Sequence, residues 1–206
     1  MMAMIWAKIW GVLTGLEFWG FVTGAACVWL AVKEHVWNWP IGILNDALYL
    51  VVFFRSKLYA DSLLQIFFIS VSIYGWWAWL YGGARHTELQ AGRTTARQAA
   101  IYAVALAAST AGIYFLLHRY TDSNVPFWDA FTTALSLVAQ YMLGRKLLEN
   151  WLVWILADII YIGVYAYKNL YLTSVLYLVF LIMCVFGWLR WKKTVVPDQL
   201  SMEAIG

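Results

Sequence analysis

Long apolar stretches alternate with short polar clusters along the chain, and seven of the stretches have the length of a membrane crossing. They run Gly11–Val32, Asn38–Phe54, Asp61–Tyr81, Gln98–Leu117, Val125–Gly144, Asn150–Tyr167 and Tyr171–Arg190. A helix needs about 20 residues to cover roughly 30 Å of hydrocarbon. Most of the runs are continuously apolar rather than alternating, which predicts helices and not the strands of a membrane barrel. The second and sixth stretches are short and each carries an Asp, so their hydropathy signal is the weakest. Asn38 before Pro40 and Asn124 before Pro126 predict a capping side chain beside a proline at two helix starts. Gly82, Gly83 and Gly92 flank the most polar loop, Ala84 to Arg97, which reads as a water-exposed connection.

Composition agrees, because 64% hydrophobic residues against 12% charged leave too little polar surface to coat a soluble domain. The expected class is an all-α integral membrane protein with the lipid bilayer as its surroundings. Counting Lys and Arg on alternate sides gives nine on the side of Lys33, Arg85, Arg93, Arg97, Arg145, Lys146, Arg190, Lys192 and Lys193. The other side has five: Lys8, Arg55, Lys57, Arg119 and Lys168. That asymmetry predicts a cytoplasmic C-terminus and an external N-terminus. It also accounts for the net charge of +3, so no nucleic-acid partner is expected. The first apolar run is too long for a signal-peptide core and contains Glu17, so it is expected to stay in the mature protein.

An internal repeat appears when the chain is slid against itself by 112 residues. Asn38 to Trp79 then lies over Asn150 to Trp191 without a gap, and 15 of 42 positions are identical, including Asn38/Asn150, Trp39/Trp151, Asp46/Asp158, Tyr49/Tyr161, Gly75/Gly187 and Trp76/Trp188. The repeat sets the second span over the sixth and the third over the seventh. A shift of four spans preserves direction, so the repeats are parallel and the fourth span is a single linker. The predicted organisation is three, one, three: residues 1–82 a first three-helix bundle, 83–123 the polar loop and linker helix, 124–206 a second bundle with a cytoplasmic tail. Parallel repeats about the membrane normal are a transporter design, used by SWEET sugar transporters, with the ligand between the halves near the midplane.

The candidate chemistry follows the repeat. Trp39, Asp46 and Tyr49 share one helical face, as do Trp151, Asp158 and Tyr161. Intramembrane carboxylates face a bundle interior, a partner or water, so two roles fit the Asp pair: ligand contact, or hydrogen bonding between helices. Trp6, Trp10 and Trp191 read as interfacial belt residues. Trp37, Trp39, Trp151 and Trp154 instead crowd around Asn38 and Asn150, and an aromatic face beside an amide suits a flat, hydrogen-bonding heterocycle. Gln140 and Tyr141 are polar in apolar surroundings, fitting binding and helix packing equally; Glu17 fits a buried partner or a proton site. Trp39, Asn38, Trp151, Asn150 and Gln140 are expected to line one central cavity. Cys27 and Cys184 read as buried free thiols, and His35, His86 and His118 show no ligand spacing, so no metal site is expected. With no nucleophile elbow and no phosphate loop, the chain reads as a non-enzyme without cofactors.

Trp37-Asn38-Trp39-Pro40 followed by Asn45-Asp46 and Tyr49, echoed by Asn150-Trp151, Trp154, Asp158 and Tyr161 and closed by Trp188 and Trp191, resembles the PnuC family of bacterial vitamin transporters over nearly the whole chain. The resemblance implies nicotinamide riboside as substrate and a SWEET-like fold in the bacterial inner membrane. It also implies facilitated diffusion, with trapping by phosphorylation that depends on a cytoplasmic kinase. A homo-oligomer, a trimer, is expected with it. Similar relatives carry thiamine, riboflavin or other nucleosides, and proton coupling through the carboxylates is the alternative mechanism. Glu149 stands for Trp37, Leu152 for Pro40 and Ala157 for Asn45 in the second repeat, so the two half-sites cannot be equivalent.

Overall fold

The computed structural model describes residues 16–55, 59–121 and 124–195. Among them the fold is all-α, with helices α1 (Leu16–Val32), α2 (Asn38–Arg55), α3 (Tyr59–Tyr81), α4 (Ala96–Tyr120), α5 (Pro126–Gly144), α6 (Asn150–Tyr167) and α7 (Tyr171–Thr194). Each predicted stretch is a helix there. The expectations for Trp6, Trp10 and the Glu17 side chain lie outside the described residues.

Four stretches are long and apolar enough to cross a membrane: Ser62–Tyr81, Ala96–Tyr120, Asn150–Tyr167 and Thr173–Thr194; Trp19–Val32 is a shorter apolar helix. The sixth span, expected to be weak, is therefore among the clear ones, and the fifth is not. α5 carries Thr132 and Ser136 facing protein: both are buried, and their hydroxyls donate to the carbonyls of Trp128 at 2.8 Å and Thr132 at 3.0 Å. Polar side chains lower the hydropathy of α5 without meeting lipid, because the helix satisfies them internally.

Two helix starts differ from the sequence reading. Asn124 does not cap α5; Val125 holds that position, without a side-chain hydrogen bond, and Pro126 opens the helix. Asn38 is the first helical residue of α2, and its amide group turns back to the preceding loop instead of accepting a helix N–H. A cap the reading passed over is Thr95, which with Gln98 forms a full capping box at α4. That starts the helix two residues early.

By contacts the chain divides into two compact units, Met1–Trp77 and Ala78–Gly206. In the first, α2 packs on α1. Asn45 Nδ2 donates to Gly20 O at 2.5 Å and Thr23 Oγ1 at 2.9 Å. The Tyr49 ring lies on Gly20, where a Cβ would meet it at 2.8 Å. In the second, α5 packs between α4 and α6, and α6 packs on α7. Nine residues of α5 are buried and none of α4, so α5 carries the core of this unit while α4 presents apolar side chains outward, as a lipid-facing helix does.

Candidate functional site

The turns that lead into α2 and α6 repeat each other bond for bond. Glu34 and Lys146, 112 residues apart, both adopt left-handed backbone, with φ of 56° and 53°. Glu34 N–H donates to Ala31 O and His35 N–H to Leu30 O, each at 2.9 Å. Lys146 N–H donates to Leu143 O at 2.9 Å and Leu147 N–H to Met142 O at 3.0 Å. This is the Schellman pattern of a helix C-terminus, with charged residues at the position glycine usually fills. Each turn then delivers an asparagine to the next helix start: Asn38 N–H donates to His35 O at 3.0 Å, and Asn150 N–H to Leu147 O at 3.1 Å.

The two asparagines are 1% and 0% exposed. Their side chains are held alike, Asn38 Nδ2 donating to His35 O at 2.9 Å and Asn150 Nδ2 to Leu147 O at 2.6 Å. With the NH2 groups anchored, both amide oxygens are left buried with no hydrogen-bond partner among the described residues, and so is Trp151 Nε1. A buried polar atom without a partner costs about 1 to 3 kcal/mol. Finding the same cost at equivalent positions of two repeats marks a shared feature and not an accident of packing.

Beside each amide lies a buried indole. Trp39 lies over Gly75 of α3, and Trp151 over Gly187 of α7; a Cβ on either glycine would come within 3 Å of the ring. Trp151 also meets Trp191 edge-on, centroids 5.4 Å apart at 88°, and Trp191 touches Trp79 at 5.8 Å. The Trp/Gly pairing in the repeat is thus a steric relation: only glycine lets α3 approach the Trp39 indole and α7 the Trp151 indole.

Further along, the halves diverge. Asp158 is 3% exposed and its Oδ2 accepts from Cys184 Sγ at 3.5 Å, while the Tyr161 hydroxyl sits 3.5 Å from Ser136 Oγ. Tyr161 stacks into a cluster with Tyr165 and Tyr177, centroids 4.5 to 5.9 Å apart. In the first repeat Asp46 is only half-buried, and Tyr49 stacks on Phe53 at 5.7 Å. Asn45, whose bonds tie α2 to α1, has Ala157 as its counterpart, and Ser136 of α5 stands where α1 has Gly24. Ser136 and Tyr177 are partners the sequence reading did not single out, and Cys184, read only as a buried free thiol, is the partner of Asp158. The register could have found Cys184, because it lies 112 residues after the buried Ser72.

The remaining candidates sit further out. Gln140, Trp154 and Trp188 are half-buried; Trp37 is 58% exposed; Tyr141 is 41% exposed and meets Tyr102 of α4 edge-on at 6.1 Å. Cys27 and Cys184 are free thiols, Cys184 buried and Cys27 half-buried, with Cys27 Sγ donating to Asn38 O at 3.2 Å. Among the described residues no group of three His, Cys, Asp or Glu could hold a metal ion.

Comparison with known proteins gives a coherent picture. The family profile described as nicotinamide mononucleotide transporter matches residues 14–193. The nicotinamide riboside transporter PnuC of Escherichia coli strain K12 is 28% identical over 204 residues, covering 87% of this chain and 85% of that protein. The riboflavin/roseoflavin transporter RibM of Streptomyces davaonensis is 24% identical, covering 86% of each. Among solved structures, the crystal structure of the vitamin B3 transporter PnuC superposes with a TM-score of 0.69 at 28% identity, covering 91% of this chain and 86% of that one.

Proposed function

The chain belongs to the nicotinamide mononucleotide transporter family, a family of membrane transporters and not of enzymes, and from that premise we propose that it carries nicotinamide riboside across the bacterial inner membrane by facilitated diffusion. Asn38 and Asn150, with Trp39 and Trp151 beside them, are the core of the two half-sites, one in each repeat. The single observation that carries this reading is the pair of buried amide oxygens without partners among the described residues. Nicotinamide riboside offers a flat cationic pyridinium ring, suited to indole faces, and a carboxamide NH2 that can donate to an amide oxygen. A polar edge that satisfies the site rejects analogues lacking it, because the buried acceptor is then left bare again.

The organisation in this reading is three helices, a linker helix and three helices, with bounds 1–82, 83–123 and 124–206. The matched turns at Glu34 and Lys146 support it. The N-terminus is outside and the C-terminus cytoplasmic. Accumulation in cells depends on a cytoplasmic kinase that phosphorylates the substrate after entry, and the protein assembles as a homotrimer, which cross-linking in native membranes tests.

A second substrate is favoured by one specific observation, the likeness to a riboflavin transporter, since an isoalloxazine is also flat and carries a donor. Uptake into liposomes containing only this protein separates the two. Labelled nicotinamide riboside should enter and unlabelled riboflavin or thiamine should compete poorly; strong competition by riboflavin with little nicotinamide riboside uptake would reassign the substrate.

A further inference from the structure

The turn into α6 is held by a stretch of chain that belongs to neither repeat. Gly92, in the loop between α3 and α4, pairs with Leu147 as an isolated parallel bridge. Its N–H donates to Lys146 O at 3.1 Å, and Leu148 N–H donates to Gly92 O at 2.8 Å. Two residues on, Thr94 N–H donates to the Glu149 carboxylate at 2.7 Å. Lys146 is 9% exposed; its Nζ donates to Leu89 O at 3.0 Å and lies 4.8 Å above the Trp79 ring. Trp79 in turn donates its Nε1–H to Leu143 O at 3.0 Å. The loop expected from sequence to be a water-exposed connection is therefore fastened at four points to one end of α5 and the start of α6.

Leu147 is where these bonds converge on the amide. The peptide groups on both sides of it carry the bridge to Gly92, and its own carbonyl accepts from Asn150 Nδ2. Whatever holds Leu147 also fixes the direction in which Asn150 Oδ1 points. The arrangement is costly: a buried ammonium needs its hydrogen bonds, and left-handed backbone is strained for a lysine, whose Cβ crowds the carbonyl there. In the first repeat the equivalent residues are Glu34 and Trp37, of which the first has no side-chain donor for a carbonyl and the second no acceptor for an N–H. The chemistry of this strap is confined to the second repeat.

We propose that loop residues 87–95 form a strap that presets Asn150 for substrate, with Lys146 and Glu149 as positioning residues acting through its amide. The proposal rests on the reading of Asn150 as a substrate contact. Presetting the acceptor removes an ordering cost from binding, so loss of the strap should weaken affinity and leave the maximal transport rate largely intact.

The test uses the purified full chain, measuring nicotinamide riboside affinity and uptake into liposomes. Glu149→Ala and Lys146→Met should each weaken binding by about tenfold, the scale of one buried hydrogen bond. Glu149→Gln, whose amide oxygen still accepts from Thr94, should recover most of that. In an Asn150→Leu background, Glu149→Ala should cost about twofold at most, since contacting residues of one network are non-additive. Native affinity in folded Glu149→Ala, or full additivity with Asn150→Leu, overturns the strap and leaves the site standing. Native affinity in Asn150→Leu alone overturns the site and the strap with it. If neither Glu149→Ala nor Lys146→Met yields folded protein, the strap is a folding element and the proposal falls.

Discussion

Trp151 lies so close to Gly187 that a Cβ placed on the glycine would sit 2.6 Å from the indole, and Trp39 stands in the same relation to Gly75. No real side chain tolerates that distance, and Trp151 is also in edge-on contact with Trp191. Gly187→Ala must therefore push the ring or part the helices, at about 1 to 3 kcal/mol for overpacking. A lower melting temperature in detergent is expected for Gly187→Ala and for Gly75→Ala. Gly112→Ala on α4, where an added Cβ meets nothing within 4 Å, should be neutral or slightly stabilising. Equal melting temperatures for all three would show that the Trp/Gly contacts are slack.

How much of this was legible in the sequence depends on which force specifies each part. The helices were, because hydrocarbon demands about 20 apolar residues per crossing and leaves little else for such a chain to do. The Trp/Gly and Asn correspondences were legible as a repeat, since polar and glycine identities at a fixed offset do not arise from apolar composition. The direction of each Asn amide was not: it depends on a left-handed turn at Glu34 and Lys146, and neither residue type announces one. The strap was hidden for a similar reason, because it is made of peptide groups at Gly92 and Thr94 and a buried lysine stem, none of which has a period. Asn124 misled because a proline two residues on looks like the start of a capped helix, whereas Pro126 is itself the first helical residue, so Val125, which has no side-chain acceptor, holds the cap position.

The asparagine oxygens carry the second prediction. Asn38→Leu and Asn150→Leu each remove a buried acceptor and replace it by a side chain of similar size, so the substrate's donor would be left unpaired. Nicotinamide riboside binding should weaken by roughly tenfold or more for each. The free proteins should be no less stable, since the replaced oxygens have no protein partner among the described residues; the lost Nδ2 bonds work against that gain. Calorimetric titration and thermal unfolding of the same samples check both halves of the statement. Native affinity in both variants would place the substrate elsewhere.

Orientation follows from nine positive residues against five. A reporter fused after Gly206 should read cytoplasm and one fused before Met1 should read outside. Lys168, which pairs with Asp129 at 3.3 Å on the side predicted to be external, supplies a finer check. Lys168→Cys should react with a membrane-impermeant maleimide added to intact spheroplasts. Labelling only after the membrane is broken would invert the topology.

The last prediction concerns the energy source. No glycine-rich phosphate loop with its lysine is present in the sequence, so direct use of nucleotide has no visible means. Proton coupling has a visible candidate in Asp46 and Asp158, because intramembrane carboxylates relay protons in pumps. The surroundings of Asp158 argue for structure instead. Asp158 accepts from Cys184 of α7 and is 3% exposed, packed where α6 meets α7, and its counterpart keeps the same register in the other repeat. A carboxylate that joins helices has no need of a proton path to either side. In liposomes holding only this protein, labelled nicotinamide riboside should therefore equilibrate until inside and outside concentrations match, with the same end point with or without a pH or sodium gradient. Asp158→Asn should lower thermal stability and slow uptake without moving that end point. Accumulation well above the outside concentration, driven by a gradient and abolished in Asp46→Asn or Asp158→Asn, would make the protein a coupled transporter and give the carboxylates the proton.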